Sequence, residues 1–127
     1  MARILLIDDD ASLLQMVRLM LEREGHQVVV AEGGEEGLAA AQAQNPDLAI
    51  VDLMMPGMSG YGVTRAFRNN SRTASLPVLI LTARGQPMDR QMAFDAGANA
   101  YLSKPISIAK FMETVRHFLS APQAECR

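Results

Sequence analysis

The chain has 127 residues, 49% of them hydrophobic and 20% charged, with a formal charge of -2 and a single cysteine. That length and apolar content suit one compact domain with a real core, and the charge offers no bulk attraction to nucleic acid or anionic lipid. Cys126 by itself cannot close an internal disulfide, and no cysteine cluster points to zinc or iron–sulfur, so a reducing compartment is expected. Met1-Ala2-Arg3 runs straight into the apolar Ile4–Ile7, too short for a signal-peptide core. No apolar run approaches the ~20 residues that span a bilayer. A cytoplasmic location is the expectation.

Ile4-Leu5-Leu6-Ile7 is a short apolar run ended by acids and reads as a strand buried on both faces. From Ser12 to Glu24 the period becomes helical, with Leu13, Met16, Val17, Met20 and Leu21 on one face and Gly25 as the stop. Gln27–Ala31 follows as a second, edge strand. Glu35–Gln44 is a helix entered through Gly33-Gly34 and broken at Asn45-Pro46. Leu48–Val51 is a third buried strand ending at Asp52. The loop Met54–Gly60 leads into a short helix over about Tyr61–Asn69, and Asn70–Ser75 is a polar connection. Pro77–Leu81 is a fourth strand ending at Thr82. A helix over about Met88–Ala96 is capped by Gly97, and Asn99–Leu102 is the fifth strand. Lys104-Pro105 turns the chain into a last helix over Ser107–Leu119, after which Ser120–Arg127 is polar. Five apolar strands alternating with five helices predict an α/β fold with a parallel sheet covered on both faces.

Three of the strands end in a reactive polar residue: Asp8 after Ile7, Asp52 after Val51 and Thr82 after Leu81. Lys104 follows the fifth strand by two residues. Ligands in open α/β sheets bind outside the carboxyl ends of the strands. If the first, third and fourth strands are neighbours, these groups converge on one crevice. Asp8, Asp9, Asp10 and Asp52 together are costly without a counter-charge. A hard divalent cation such as magnesium, which takes oxygen ligands, removes that cost. One carboxylate then serves as nucleophile toward a phosphoryl group whose oxygens the metal and a lysine neutralise. Taken alone, each aspartate is equally a solvated loop acid, and Lys104 an ordinary exposed lysine. Pro56-Gly57 and Gly60 are turn residues first.

Over residues 1–119 the chain resembles the two-component response-regulator receiver domain. The resemblance rests on Ile4–Asp10, on Asp52-Leu53-Met54-Met55-Pro56-Gly57-Met58-Ser59-Gly60, on Leu81-Thr82-Ala83 and on Gly97–Pro105, in that order. It implies a doubly wound five-stranded parallel sheet of order 2-1-3-4-5 with five helices, a flavodoxin-like three-layer sandwich. Residues 120–127 are then a tail or the start of a linker.

The resemblance also implies a function. Asp52 is the phosphoacceptor, receiving the phosphoryl group from a histidine kinase or a phosphotransfer protein. The only chemistry of the domain's own is self-phosphorylation and autodephosphorylation. Mg2+, for which Mn2+ substitutes, is held by Asp9, Asp52 and the Met54 backbone carbonyl, with Asp8 acting through water. Lys104 pairs with Asp52, Thr82 donates its hydroxyl to the phosphorylated side chain, Tyr101 turns inward as a switch, and Lys104-Pro105 is a cis peptide. The surface expected to change comprises the fourth helix, fifth strand and fifth helix, around Met88–Ala96, Tyr101 and Ser107–Leu119. Its readers are an effector protein or a fused output domain, without direct nucleic-acid binding or membrane association.

Two features depart from the commonest pattern. Met54 and Arg84 occupy positions that tune loss of the phosphoryl group, and neither supplies a carboxylate or amide to orient water. A long-lived phosphorylated state follows as the expectation. Ser107, Ala109, Met112 and Thr114 lack the charged pattern of the symmetric dimer face found in the commonest DNA-binding subclass. His26 and His117 lie away from the crevice and are taken as non-catalytic.

Two other functions use the same residues differently. Asp8-Asp9-Asp10 also resembles the Asp-x-Asp of haloacid-dehalogenase-type phosphatases, with Asp8 as nucleophile, Asp10 as acid/base and Thr82 and Lys104 in support. Such enzymes need a further acidic pair, whereas after Lys104 only Glu113 and Glu125 remain. A receiver-like interaction module that never handles phosphate would leave the chemical positions without a purpose.

Overall fold

The computed structural model describes residues 2–83 and 87–120, with the backbone alone at Pro87 and Ser120. Arg84 and the tail from residue 121 lie outside the described residues. Five strands, β1 (Arg3–Ile7), β2 (Gln27–Ala31), β3 (Leu48–Asp52), β4 (Val78–Thr82) and β5 (Ala100–Ser103), form one sheet of order β2-β1-β3-β4-β5. Every neighbouring pair is parallel. The helices α1 (Ala11–Arg23), α2 (Gly34–Gln44), α3 (Gly60–Arg68), α4 (Pro87–Ala96) and α5 (Ile108–Ser120) make the crossovers. This is the parallel sheet covered on both faces that the alternation predicts, in the doubly wound, three-layer form that the receiver resemblance implies.

Because side chains alternate across a strand, each strand feeds two cores. Leu5, Ile7, Ala49, Val51, Val78 and Ile80 face the layer of α2, α3 and α4, packing with Ala41, Val63, Phe67 and Ala93. Ile4, Leu6, Leu48, Ile50, Leu79 and Leu81 face the opposite layer, packing with Leu14, Val17 and Leu21 of α1 and Phe111, Met112 and Val115 of α5. The two central strands β3 and β4 are buried along their whole length, which is why their sequence is continuous rather than alternating. One close approach depends on a missing side chain. A Cβ at Gly37 of α2 would lie 2.4 Å from Ile7 Cδ1, so this glycine lets the helix settle on β1.

The register sets the level of the strand ends. Ile7 lies opposite Val51, Val51 opposite Ile80, and Ile80 opposite Tyr101. Asp52 is therefore level with Leu81, and the residues that follow β1 and β4 emerge at its sides. The chain leaves β1 toward β2 on one side and β3 toward β4 and β5 on the other. The break between β1 and β3 is the topological switch point at which such sheets bind ligands.

Core loss is expected to separate from surface loss within one helix. Phe111→Ala, at a fully buried position of α5, should lower unfolding free energy by about 3–5 kcal/mol in urea titration. Ile108→Ala, at a position 59% exposed three residues earlier, should change it by no more than about 0.5 kcal/mol.

Candidate phosphoryl and metal site

The strand ends carry the site. The Asp8 N–H donates to the Ala31 carbonyl at 3.1 Å, and the Leu53 N–H to the Leu81 carbonyl at 3.2 Å. The Lys104 N–H donates to the Thr82 carbonyl at 2.7 Å. The sheet thus extends by one residue past each strand and holds the acids and the lysine by their backbone. The Lys104–Pro105 peptide is cis. After Asp52 the loop doubles back, with Gly57 at φ 84° and the Gly60 N–H donating to the Leu53 carbonyl at 3.0 Å. A Cβ at Gly60 would lie 2.7 Å from the Asp52 carbonyl oxygen, so only glycine lets α3 begin this close to the acid.

Asp8 and Asp52 are 3% and 6% exposed. Lys104 Nζ lies 3.4 Å from Asp8 Oδ2 and 3.2 Å from Asp52 Oδ1, bridging the two. Asp8 Oδ1 accepts the Asp10 N–H at 2.9 Å. Asp9 is exposed beside them, and one carboxylate oxygen from each of Asp8, Asp9 and Asp52 lies within 4.8 Å of the others. Asp10 leaves this group. Its Oδ1 accepts the Ser12 and Leu13 N–H groups at 3.0 and 3.2 Å as the N-cap of α1. The four-acid cluster expected from sequence is therefore three acids and a helix cap. An Asp immediately before a helical apolar period carries that signal.

Burial is the main force on both inner carboxyls. Desolvation raises the Asp8 pKa above the ordinary carboxylate value, against the Asp10 amide and the Lys104 ammonium, which lower it. Desolvation followed by the Asp8 charge raises that of Asp52, opposed by Lys104 and the Met54 amide. Like charges at this spacing repel by on the order of 3–4 kcal/mol at an effective dielectric of about 20. One ammonium against three carboxylates leaves a charge deficit that a divalent cation fills, and an all-oxygen donor set suits a hard ion.

Thr82 is fully buried at the end of β4, and Tyr101 is 6% exposed in the core layer shared by Ile80, Ala93 and Ala98. The Arg90 guanidinium lies 6.0 Å from the Tyr101 ring centroid. The Met54 side chain, two residues after Asp52, is exposed. His26, whose Nδ1 accepts the Ala2 N–H at 3.3 Å, and His117 on α5, edge-on to Phe118, lie outside the acidic group.

The model of the response regulator receiver domain family matches residues 4–116. This chain is a response-regulator receiver domain. It is 37% identical over 120 residues to protein PilH of Pseudomonas aeruginosa, covering 94% of this chain and 99% of that one. It is 43% identical over 119 residues to the DNA-binding dual master transcriptional regulator RpaA of Synechocystis, covering 94% of this chain but 49% of that protein. The chain thus spans nearly all of PilH and about half of RpaA. The solved receiver domain of the sensor histidine kinase PA1611 from Pseudomonas aeruginosa superposes with a TM-score of 0.87 at 28% identity, covering 94% of this chain and 98% of that one. In that structure a magnesium ion is coordinated in the active-site cleft. As a receiver domain the chain is a phospho-accepting switch with limited self-phosphorylation and autodephosphorylation, not an enzyme of classical turnover. Its acidic group is able to coordinate a divalent metal, and no described helix is long and apolar enough to cross a membrane.

The raised carboxyl pKa values have a thermodynamic consequence. A folded state that holds these protons more tightly than the unfolded chain loses stability as pH rises from the ordinary carboxylate pKa through the raised one. Without metal at neutral pH the pair therefore opposes folding. Asp52→Asn, which keeps shape and removes one charge, should raise the melting temperature in chelator at pH 7 by about 3–6 °C, the effect of ~1 kcal/mol in a domain of this size. A fall in melting temperature would show instead that the Lys104–Asp52 pair outweighs the burial.

Proposed function

We propose that Asp52 is the phosphoacceptor of this receiver domain and that Mg2+, replaceable by Mn2+, is the ion its acids hold. The observation that carries the reading is the Lys104 ammonium set between two buried carboxylates at the sheet's switch point. The metal ligands in this reading are Asp9, Asp52 and the Met54 backbone carbonyl, with Asp8 acting through water. When bound, the ion neutralises phosphoryl oxygens that would otherwise repel the acids.

The donor is a phosphohistidine on a sensor histidine kinase or a phosphotransfer protein. A carboxylate oxygen of Asp52 attacks phosphorus, the P–N bond breaks, and the imidazole nitrogen leaves and takes up a proton. Lys104 already contacts Asp52 Oδ1 and is placed to follow the charge onto the transferred oxygens. Thr82, one residue beyond the level of Asp52 on the adjacent strand, donates its hydroxyl to the acyl phosphate. Tyr101 is the aromatic switch, and its buried ring corresponds to the inward state. The altered surface is that of α4, β5 and α5, read by an effector protein or an attached output domain. A protein of net charge -2 has no electrostatic basis for binding nucleic acid through this domain. We take the cytoplasm as its location, residues 1–119 as the domain and 120–127 as tail or linker.

The phosphatase reading places the nucleophile at Asp8 and the acid/base at Asp10. The cap made by Asp10 to α1 supports the receiver reading over that one, since the carboxylate is already bonded to two backbone amides.

Incubation with acetyl phosphate and Mg2+ should add one phosphoryl group by intact mass, and Asp52→Asn should abolish the gain. Loss at Asp8→Asn with full labelling of Asp52→Asn would transfer the nucleophile to Asp8, and absence of labelling would leave an interaction module. With Met54 and Arg84 offering no group to orient water, the phosphorylated form should persist for minutes or longer in Mg2+ buffer. Decay within seconds would refute that expectation.

A further inference from the structure

The loop after Asp52 runs out to an exposed tip and returns to α3. Leu53 and Met55 secure the outgoing leg, both buried in the layer of α2 and α3. Pro56, Gly57 and Ser59 are exposed. On the return leg the apolar hold is Met58, half-buried and packed against the same layer. Its N–H donates to the Pro56 carbonyl at 3.1 Å, and two residues later the Gly60 N–H closes the loop on the Leu53 carbonyl at 3.0 Å.

Two glycines make the seat for Met58. A Cβ at Gly34, the first residue of α2, would lie 2.8 Å from Met58 Cβ and 2.9 Å from its Sδ. The nearest atom is the root of the side chain, not its flexible end, so one of the two backbones would have to move. A Cβ at Gly62, in the first turn of α3, would lie 3.2 Å from Met58 Cγ. Met58 therefore fills the space that two missing side chains leave, one on each helix, and packing this close leaves little room to give. Gly33-Gly34 reads from the sequence only as the entry to α2. The structure adds a packing reason for the second of the pair.

We infer that Met58 is a positioning residue for the metal site: seated between Gly34 and Gly62, it fixes the return leg of the loop and so holds the Met54 carbonyl in place for the ion. Residues that support ligands without touching the metal set its affinity through the geometry they impose. The Met58 thioether is no ligand for a hard ion, so its effect passes through the backbone of the loop. The part played in binding the ion rests on the function proposed above, whereas the seat belongs to the metal-free protein and is measurable there.

Residue-resolved NMR on the full chain tests it. Without metal, Met58→Ala should speed amide exchange at Gly60, whose bond to Leu53 closes the loop, and leave Leu53, bonded to Leu81 across the sheet, unchanged. Met58→Leu, which keeps the apolar bulk, should restore the protection of Gly60. Titration with Mg2+ should then give a dissociation constant about ten-fold higher in Met58→Ala, the lower end of what losing a supporting residue around a metal costs, and near the wild-type value in Met58→Leu. Gly34→Ala should weaken Mg2+ binding as well, although it lies in α2 and provides no ligand. Unchanged exchange at Gly60, equal acceleration at Leu53, or failure of Met58→Leu to rescue would each overturn the seat. An unaltered Mg2+ dissociation constant in Met58→Ala or in Gly34→Ala would overturn the positioning role. A wild-type chain that binds neither Mg2+ nor Mn2+ refutes the metal assignment, while the seat is decided by exchange in the metal-free protein.

Discussion

The contact between one lysine and two buried carboxylates organises this molecule. Asp8 and Asp52 stand at the ends of adjacent parallel strands, and Lys104 reaches both from the far side of the sheet. An ion pair at such depth is a poor source of stability, because desolvation offsets most of the attraction. Here it is incomplete as well, since the carboxylates outnumber the ammonium. The fold therefore holds the site in a state that gains free energy from a cation or from any change that removes negative charge. The scaffold that tolerates this is the pair of apolar layers on either side of the sheet.

The backbone explains how the strained charge arrangement is kept in place. Each chemical residue lies within two positions of a strand end, and each strand is flanked by the next in parallel register. Gly60 permits the loop after Asp52 to close on the acid's own carbonyl, and α3 starts from that contact. The same helix then carries Tyr61 and Arg68, which meet opposite ends of α4. The chain thus runs covalently from the acid into α3, and hydrogen bonds join α3 to α4.

Much of this was legible in the residues. Continuous apolar strands such as Leu48–Val51 and Pro77–Leu81 announce a sheet buried on both faces, and their polar terminators announce the crevice. Element limits from the sequence lie within one or two residues of those in the structure. Asp10 sits next to Asp8 and Asp9 in the sequence but caps α1, a role signalled by its place directly before the helical period of Leu13 and Leu14. Arg68 and the Tyr61–Asp89 contact carried no local signal. They join segments about thirty positions apart, and a lone arginine at a helix end reads equally as a solvated charge favoured by the helix dipole. Periodicity reports which face is buried, not which carbonyl a guanidinium will find.

The choice of Asp52 as the acid that carries the phosphoryl group is most directly tested by locating the modified residue. An aspartyl phosphate formed with acetyl phosphate and Mg2+ is reduced by borohydride to homoserine, which survives digestion. Trypsin places Asp8, Asp9 and Asp10 in the peptide of residues 4–18 and Asp52 in that of residues 24–65. Homoserine at position 52 alone is the expected result. Homoserine at position 8 would contradict the assignment and make Asp8 the nucleophile.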